Sequence, residues 1–228
     1  MTHSWCARRV GALMAPLLLV AGAVGATVTL WPSAAGAVSC GSAVSGSCTA
    51  TGTLRVTPGA LTLTAPSALG WNASLSGLNQ SLVDTSGSDE VAVIDDATGS
   101  GAGWKVTVSA TQFTNGSALL PNTGTLSLNG SLTSATATTA PSYACATNST
   151  CVLPVPEGGL TYPVQFTTAA TSPTPYEISD AGVASGMGTI NFGGSSAANP
   201  IGWWLNVPSS VVSGSYLSTV TATIATGP

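Results

Sequence analysis

Ionisable side chains are scarce in this chain. Its 228 residues carry four Lys and Arg, eight Asp and Glu and one histidine, so that 5% of the residues are charged. The bases are Arg8, Arg9, Arg55 and Lys105, and the first two fall in an N-terminal stretch read below as a signal peptide. Once they are removed, two bases stand against eight acids, a net charge of −6. Nucleic-acid binding needs cations to neutralise phosphates, so that class is excluded. The histidine, His3, lies in the same N-terminal stretch. Without it the remainder has no Ser-His or Cys-His pair for nucleophilic catalysis. A Ser-Lys pair would have to use Lys105, which alternation places on the watery face of a strand with no burial to activate it. A bilayer-spanning run is missing as well. Residues 11–26 are apolar but fall short of the ~20 residues a span requires, and Pro16 and several glycines interrupt them.

What the N-terminus does contain is an export signal. Arg8-Arg9 precede the apolar run, and Ala35-Gly36-Ala37 offers a small-x-small cleavage site. Residues 1–37 therefore read as a secretory signal peptide, cleaved after Ala37 or, as the alternative, after Ala26. The arginine pair could signal twin-arginine export, but nothing around it adds to that motif, and ordinary secretion is the expectation. The mature chain is then 38–228, of a length that suits one β-sandwich or barrel. Cysteine usage agrees with an oxidising compartment. Cys6 leaves with the signal peptide, and two close pairs remain, Cys40 with Cys48 and Cys145 with Cys151. Four cysteines allow three connectivities, of which local pairing is the simplest. Zinc is disfavoured, because neither pair has C-x-x-C spacing and no histidine accompanies them.

The most regular stretch is 91–111, VAVIDDATGSGAGWKVTVSAT. Trp104, Val106, Val108 and Ala110 fall on one face of a period-two pattern, with Lys105, Thr107, Ser109 and Thr111 on the other. A large aromatic directly after a Gly-rich turn can fix the register of whatever pairs with it. Further strands are expected at 51–57, 60–65, 69–75, within the acidic segment 82–96, and at 125–132, 150–155, 161–168, 189–192, 201–207 and 216–225. Thr, Val and aromatics fill these runs while Gly, Pro, Asn and Ser punctuate them. The predicted fold is all-β, an antiparallel β-sandwich in a single mature domain.

Candidate sites are few. Asp84, Asp89, Glu90, Asp95 and Asp96 crowd one segment. Paired carboxylates could hydrolyse glycosides, and clustered ones could ligate calcium. Aspartates beside Gly, Ser and Thr more simply satisfy their own turns, and no calcium-loop pattern is present. No catalytic set, metal-ligand set or cofactor is assigned. Residues 120–124 spell LPNTG, a sortase signal in form. They lie far from the C-terminus without the apolar span and basic tail such a signal needs, and a turn is the expected reading. In 201–208, Ile201, Trp203, Leu205 and Val207 share an apolar face. Trp204 is left on the other face with Asn206; either a loop or second layer covers it, or, if exposed, an indole beside an amide suits stacking on a sugar or docking a partner.

Two segments resemble a known family. Asp96, the Gly-rich turn ending at Gly103, and Trp104-Lys105-Val106 look like the first tryptophan motif of WxL surface domains, an acid and a turn followed by Trp-x-Leu. Tyr216, Val220, Thr221, Ile224 and Pro228 match that family's closing motif, Tyr-x-x-x-Leu/Val-Thr-Trp-x-Leu-x-x-x-Pro. Val106 replaces the first Leu and Ile224 the second, and Ala222 stands where the second Trp belongs. Trp203-Trp204-Leu205 also spells W-x-L but lies upstream of Tyr216. The resemblance implies a secreted, non-enzymatic β-sandwich of Gram-positive-type bacteria, held without covalent linkage on the cell wall through peptidoglycan. The rivals are an adhesive surface protein that binds another protein and a carbohydrate-active enzyme using the acidic loop. On the closing strand, Tyr216, Val220, Ala222 and Ile224 should face inward, with Trp203 expected to fill the space at Ala222.

Overall fold

The computed structural model describes residues 52–194 and 197–228. The expected signal peptide, residues 1–37, lies outside the described residues. Within the compact unit Arg55–Pro228, the described residues form eleven strands and no helix, as expected of an all-β chain. Every strand pair is antiparallel.

The strands sort into three sheets about one core. The first has the order β1 (Leu61–Thr64), β3 (Val91–Asp96), β9 (Gly188–Gly193), β6 (Tyr143–Cys145). The second runs β2 (Gln80–Val83), β10 (Gly202–Val207), β5 (Leu126–Asn129), β7 (Val164–Phe166). The third runs β11 (Val220–Thr226), β4 (Trp104–Ala110), β8 (Tyr176–Ala181). Ile94, Ile190 and Phe192 from the first sheet meet Leu126, Leu128 and Trp203 from the second and Trp104, Val106 and Val108 from the third. The result is a sandwich-like body in which β3 and β4 turn one alternating face inward while β5 and β10 are buried on both faces.

β4 follows its sequence pattern without exception, burying Trp104, Val106, Val108 and Ala110 and half-exposing the residues between. Two expected strands are not there. Residues 52–57 carry a strand-like alternation but pair with nothing among the described residues, and 69–75 follows an irregular path. Both have the side chains of a strand; a strand also needs a partner. Of 150–155 only the bridge Val152↔Met187 remains. In the other direction, β6 and β8 were not expected. β8 buries Ser179 and Asp180, residues that read as surface until their partners are known.

Of the two disulfides expected, the described residues contain one. Cys145 and Cys151 form a local bridge with Cα atoms 5.5 Å apart. The other expected bridge, Cys40 to Cys48, is not among the described bonds, because Cys40 and Cys48 both lie outside the described residues. The pairing of Cys48 with Cys40 therefore stays an expectation from spacing.

Candidate functional site

The segments that carry the family resemblance are one strand pair. β11 lies antiparallel to β4, with Thr226 across from Trp104, Ile224 from Val106, Ala222 from Val108 and Val220 from Ala110. Trp104 is wholly buried, and its Nε1 donates to Gly186 O at 2.8 Å. The turn before it depends on Gly103, whose φ is +75° and whose site has no room for a side chain, because a Cβ there would meet the carbonyl of Ala181. Only glycine adopts that conformation at no steric cost. Asp96 closes the preceding loop: its Oδ1 accepts from Thr98 N at 3.0 Å and Thr98 Oγ1 at 2.6 Å. Gly227 N donates to Gly103 O at 2.9 Å, tying the chain end beside Pro228 to the same turn.

The acidic segment is occupied by turn chemistry, in less water than its composition suggests. Asp84 is buried and accepts from Ser86 N at 2.9 Å and Gly70 N at 2.7 Å. Asp95 accepts from Thr189 Oγ1 at 3.0 Å. Among the described residues no three His, Cys, Asp or Glu side chains come together as metal ligands. The LPNTG stretch is a turn whose Asn122 carbonyl accepts from Thr168 N at 2.7 Å.

Both members of the tryptophan pair are buried. Trp203 faces the core as predicted, stacks on Phe166 and donates to Asp89 O at 3.0 Å. Of the two readings open for Trp204, covered by another segment or exposed for binding, the structure has the first, with Trp204 only 6% exposed. Its Nε1 donates to Ser131 O at 2.9 Å and Asn129 Oδ1 at 3.2 Å. Alternation correctly put the two indoles on opposite faces. It could not reveal that the chain following β5 returns over the outer one, so both are buried. Asn206 is half-buried, accepting from Ser81 Oγ at 2.6 Å and donating to Gly124 O at 2.7 Å. Trp204 and Asn206 therefore do not form an exposed binding face.

The open surface lies on the other side of β10. A cleft of about 870 Å³ has a floor of Val108, Leu205, Val207, Val220 and Ala222. Its walls are the irregular segments 65–75 and 211–219. No ionisable acid or base lines it apart from the phenol of Tyr216. Two hydrogen bonds position the first wall: Gly70 N to Asp84, and Trp71 Nε1 to Trp203 O at 3.1 Å. The indole NH is spent on that backbone carbonyl, so Trp71 offers the cleft ring surface. Phe113 meets it edge-on at 6.0 Å. Tyr216 shapes the second wall, its hydroxyl donating to Val212 O at 3.0 Å. Tyr216, Val220, Ala222 and Ile224 share the inner face as expected, but each is only half-buried. Trp203 lines the cleft without filling it, so the space beside Ala222 is open. A separate polar recess of about 330 Å³, sharing only Val207 with the cleft, is lined by Asn79, Gln80, Ser81 and Asn206.

Sequence reading missed Trp71 and the walls. Trp71 sits between Gly70 and Asn72 in a run taken for a strand, and only the long-range bond to Trp203 O gives it a place.

A polar network lies near β8. Asp180 is buried, its Oδ2 accepting from Glu157 N at 2.7 Å and Gly158 N at 3.2 Å. The Tyr143 hydroxyl pairs with Ser179 Oγ at 2.9 Å. Burial pushes the Tyr143 phenol up to about 12, against the lowering effect of that bond. Burial also raises Tyr162, whose hydroxyl donates to Ile178 O at 2.7 Å. Desolvation first, and then repulsion from Asp180, raise Glu177, while Lys105 pulls it back.

No curated protein and no solved structure matches the chain. Residues 59–228 match the family described as WxL domain surface cell wall-binding. That span takes in the paired motif strands, the cleft floor and both of its walls. The chain belongs to the WxL family of surface cell wall-binding domains.

Proposed function

We propose that the protein is exported, stays at the bacterial surface without covalent linkage, and does so by lodging a stretch of peptidoglycan glycan in the cleft. The observation that carries this reading is a cleft of about 870 Å³ that presents the rings of Trp71 and Tyr216 with no carboxylate or cationic side chain in its lining. Uncharged sugar rings have apolar faces that stack on aromatic surfaces and hydroxyl edges that need hydrogen-bonding neighbours. Asn72, Ser213 and Ser215 in the cleft's own lining supply the second requirement.

The role is binding without turnover. The aspartates that a hydrolase would need are engaged in turns, Asp84 and Asp96 with their own backbone neighbours. The test is co-sedimentation with purified sacculi, run alongside release of soluble fragments from labelled wall. Retention without release is expected. Trp71→Ala should lower retention about tenfold or more, equivalent to about 1.4 kcal/mol. Full retention by a folded Trp71→Ala protein, or steady fragment release by the parent, would contradict the proposal.

A further inference from the structure

We infer that the cleft also accepts the extended segment 53–57 of a second copy of this chain. This does not rest on the glycan reading, with which it shares only the location. The donor is a segment with strand-like alternation that pairs with nothing among the described residues. Leu54 and Val56 are 86% and 79% exposed, the most exposed large hydrophobic side chains described. They stand two residues apart, so in an extended chain they project from one face while Arg55 projects from the other.

The receptor has complementary deficits. Between residues 65 and 73 the only backbone group of the described wall that makes a hydrogen bond is Gly70 N. Unpaired backbone groups along this irregular wall, beside an apolar floor, are available to bond an incoming extended segment. The main chain then supplies hydrogen bonds and alternate side chains find pockets. Leu54 and Val56 would face Val108, Val220 and Ala222. Arg55 would face outward, toward a body whose acids outnumber its bases. The donor is badly placed to fill its own cleft. Gly59 N is bonded to Ala97 O at 2.8 Å, which fixes the segment at the start of β1. The cleft begins at Ala65, past the far end of that strand, about 25 Å of extended chain from Thr57.

The test is light scattering of the purified full chain over a range of concentrations, with cross-linking from a photoreactive residue at position 56. Mixing normal and ¹⁵N-labelled protein separates contacts between copies from those within one. The expected result is a mass that rises with concentration and inter-copy cross-links to 65–73 or 211–220. Combined Leu54→Asp and Val56→Asp should weaken association about tenfold or more while leaving sacculus retention intact. Ala222→Trp, which fills the receptor, should weaken association equally. A single-copy mass at every concentration, cross-links confined to one copy, or undiminished association of the double variant would overturn the inference. None of those results touches wall binding, which the sacculus assay reads separately.

Discussion

At one end of the β4–β11 ladder Trp104 stands across from Thr226, and nearer the other end Val108 stands across from Ala222. The backbone pairing is the same at both places, and the filling is opposite. At the first, an indole is sealed under Gly186 and Ala181, so tightly that a single Cβ on Gly186 would collide with both the indole and Ala181. At the second, the inner face of β11 is half-exposed, and the fully buried Val108 forms part of the floor of an open cleft. One strand pair thus carries a closed half, which holds the sheets together, and an open half, which has room for a ligand. The volume of the inward side chains, more than the hydrogen-bond ladder, decides which half is which.

The largest expected effect falls on the closed half. Trp104→Ala should cost about 3–5 kcal/mol, because it empties the packed core and strands the Gly186 carbonyl. Chemical denaturation of the variant measures this, and a loss under about 1 kcal/mol would mean the two halves are not built differently after all.

Much of the closed half was legible in the sequence. Period two over β4 gave its inner face, and the spacing of Tyr216, Val220 and Ile224 gave that of β11. The misreadings share one physical cause: alternation says which face a residue is on and nothing about how many layers cover that face. Whether Trp204 was covered could not be settled from alternation, because the chain that returns over it, through Ser131, is remote in sequence. Ser179 and Asp180 concealed β8 because their partners, Tyr143 and the amides of Glu157 and Gly158, are equally remote. The cleft could not be read at all. Its walls have no periodicity, and its Ala222 signals open space only once the neighbouring side chains are known to leave that space empty.

A second prediction sharpens the closed half through pH. Tyr143 ionises near 10 in an unfolded chain and at about 12 in the fold, so the fold favours the neutral phenol. Its stabilisation is complete below pH 10 and is lost as pH rises from 10 to 12, a difference of up to about 3 kcal/mol. Tyr143→Phe should flatten the alkaline limb of a melting-temperature profile. An unchanged limb would remove Tyr143 from the closed region's support.

A smaller effect is expected at the disulfide. Cys145 and Cys151 close a loop with a sequence separation of 6, and a ring that short contributes about 2 kcal/mol in the chain-entropy model. Reduction should therefore lower the melting temperature by a few degrees and leave sacculus retention alone, since neither cysteine lines the cleft. Retention that falls on reduction would break the separation between the supporting region and the binding one.

The most direct test of the open half is Ala222→Trp, which places an indole in the space beside Val108. Because that space opens to solvent, the substitution should avoid the cost of overpacking and hold or raise the melting temperature. The measurement is retention on purified sacculi, compared with the parent at equal folded concentration. A folded Ala222→Trp protein that has lost retention about tenfold or more is the predicted result. A folded variant that binds sacculi as well as the parent would contradict the assignment of the cleft as the wall-binding site.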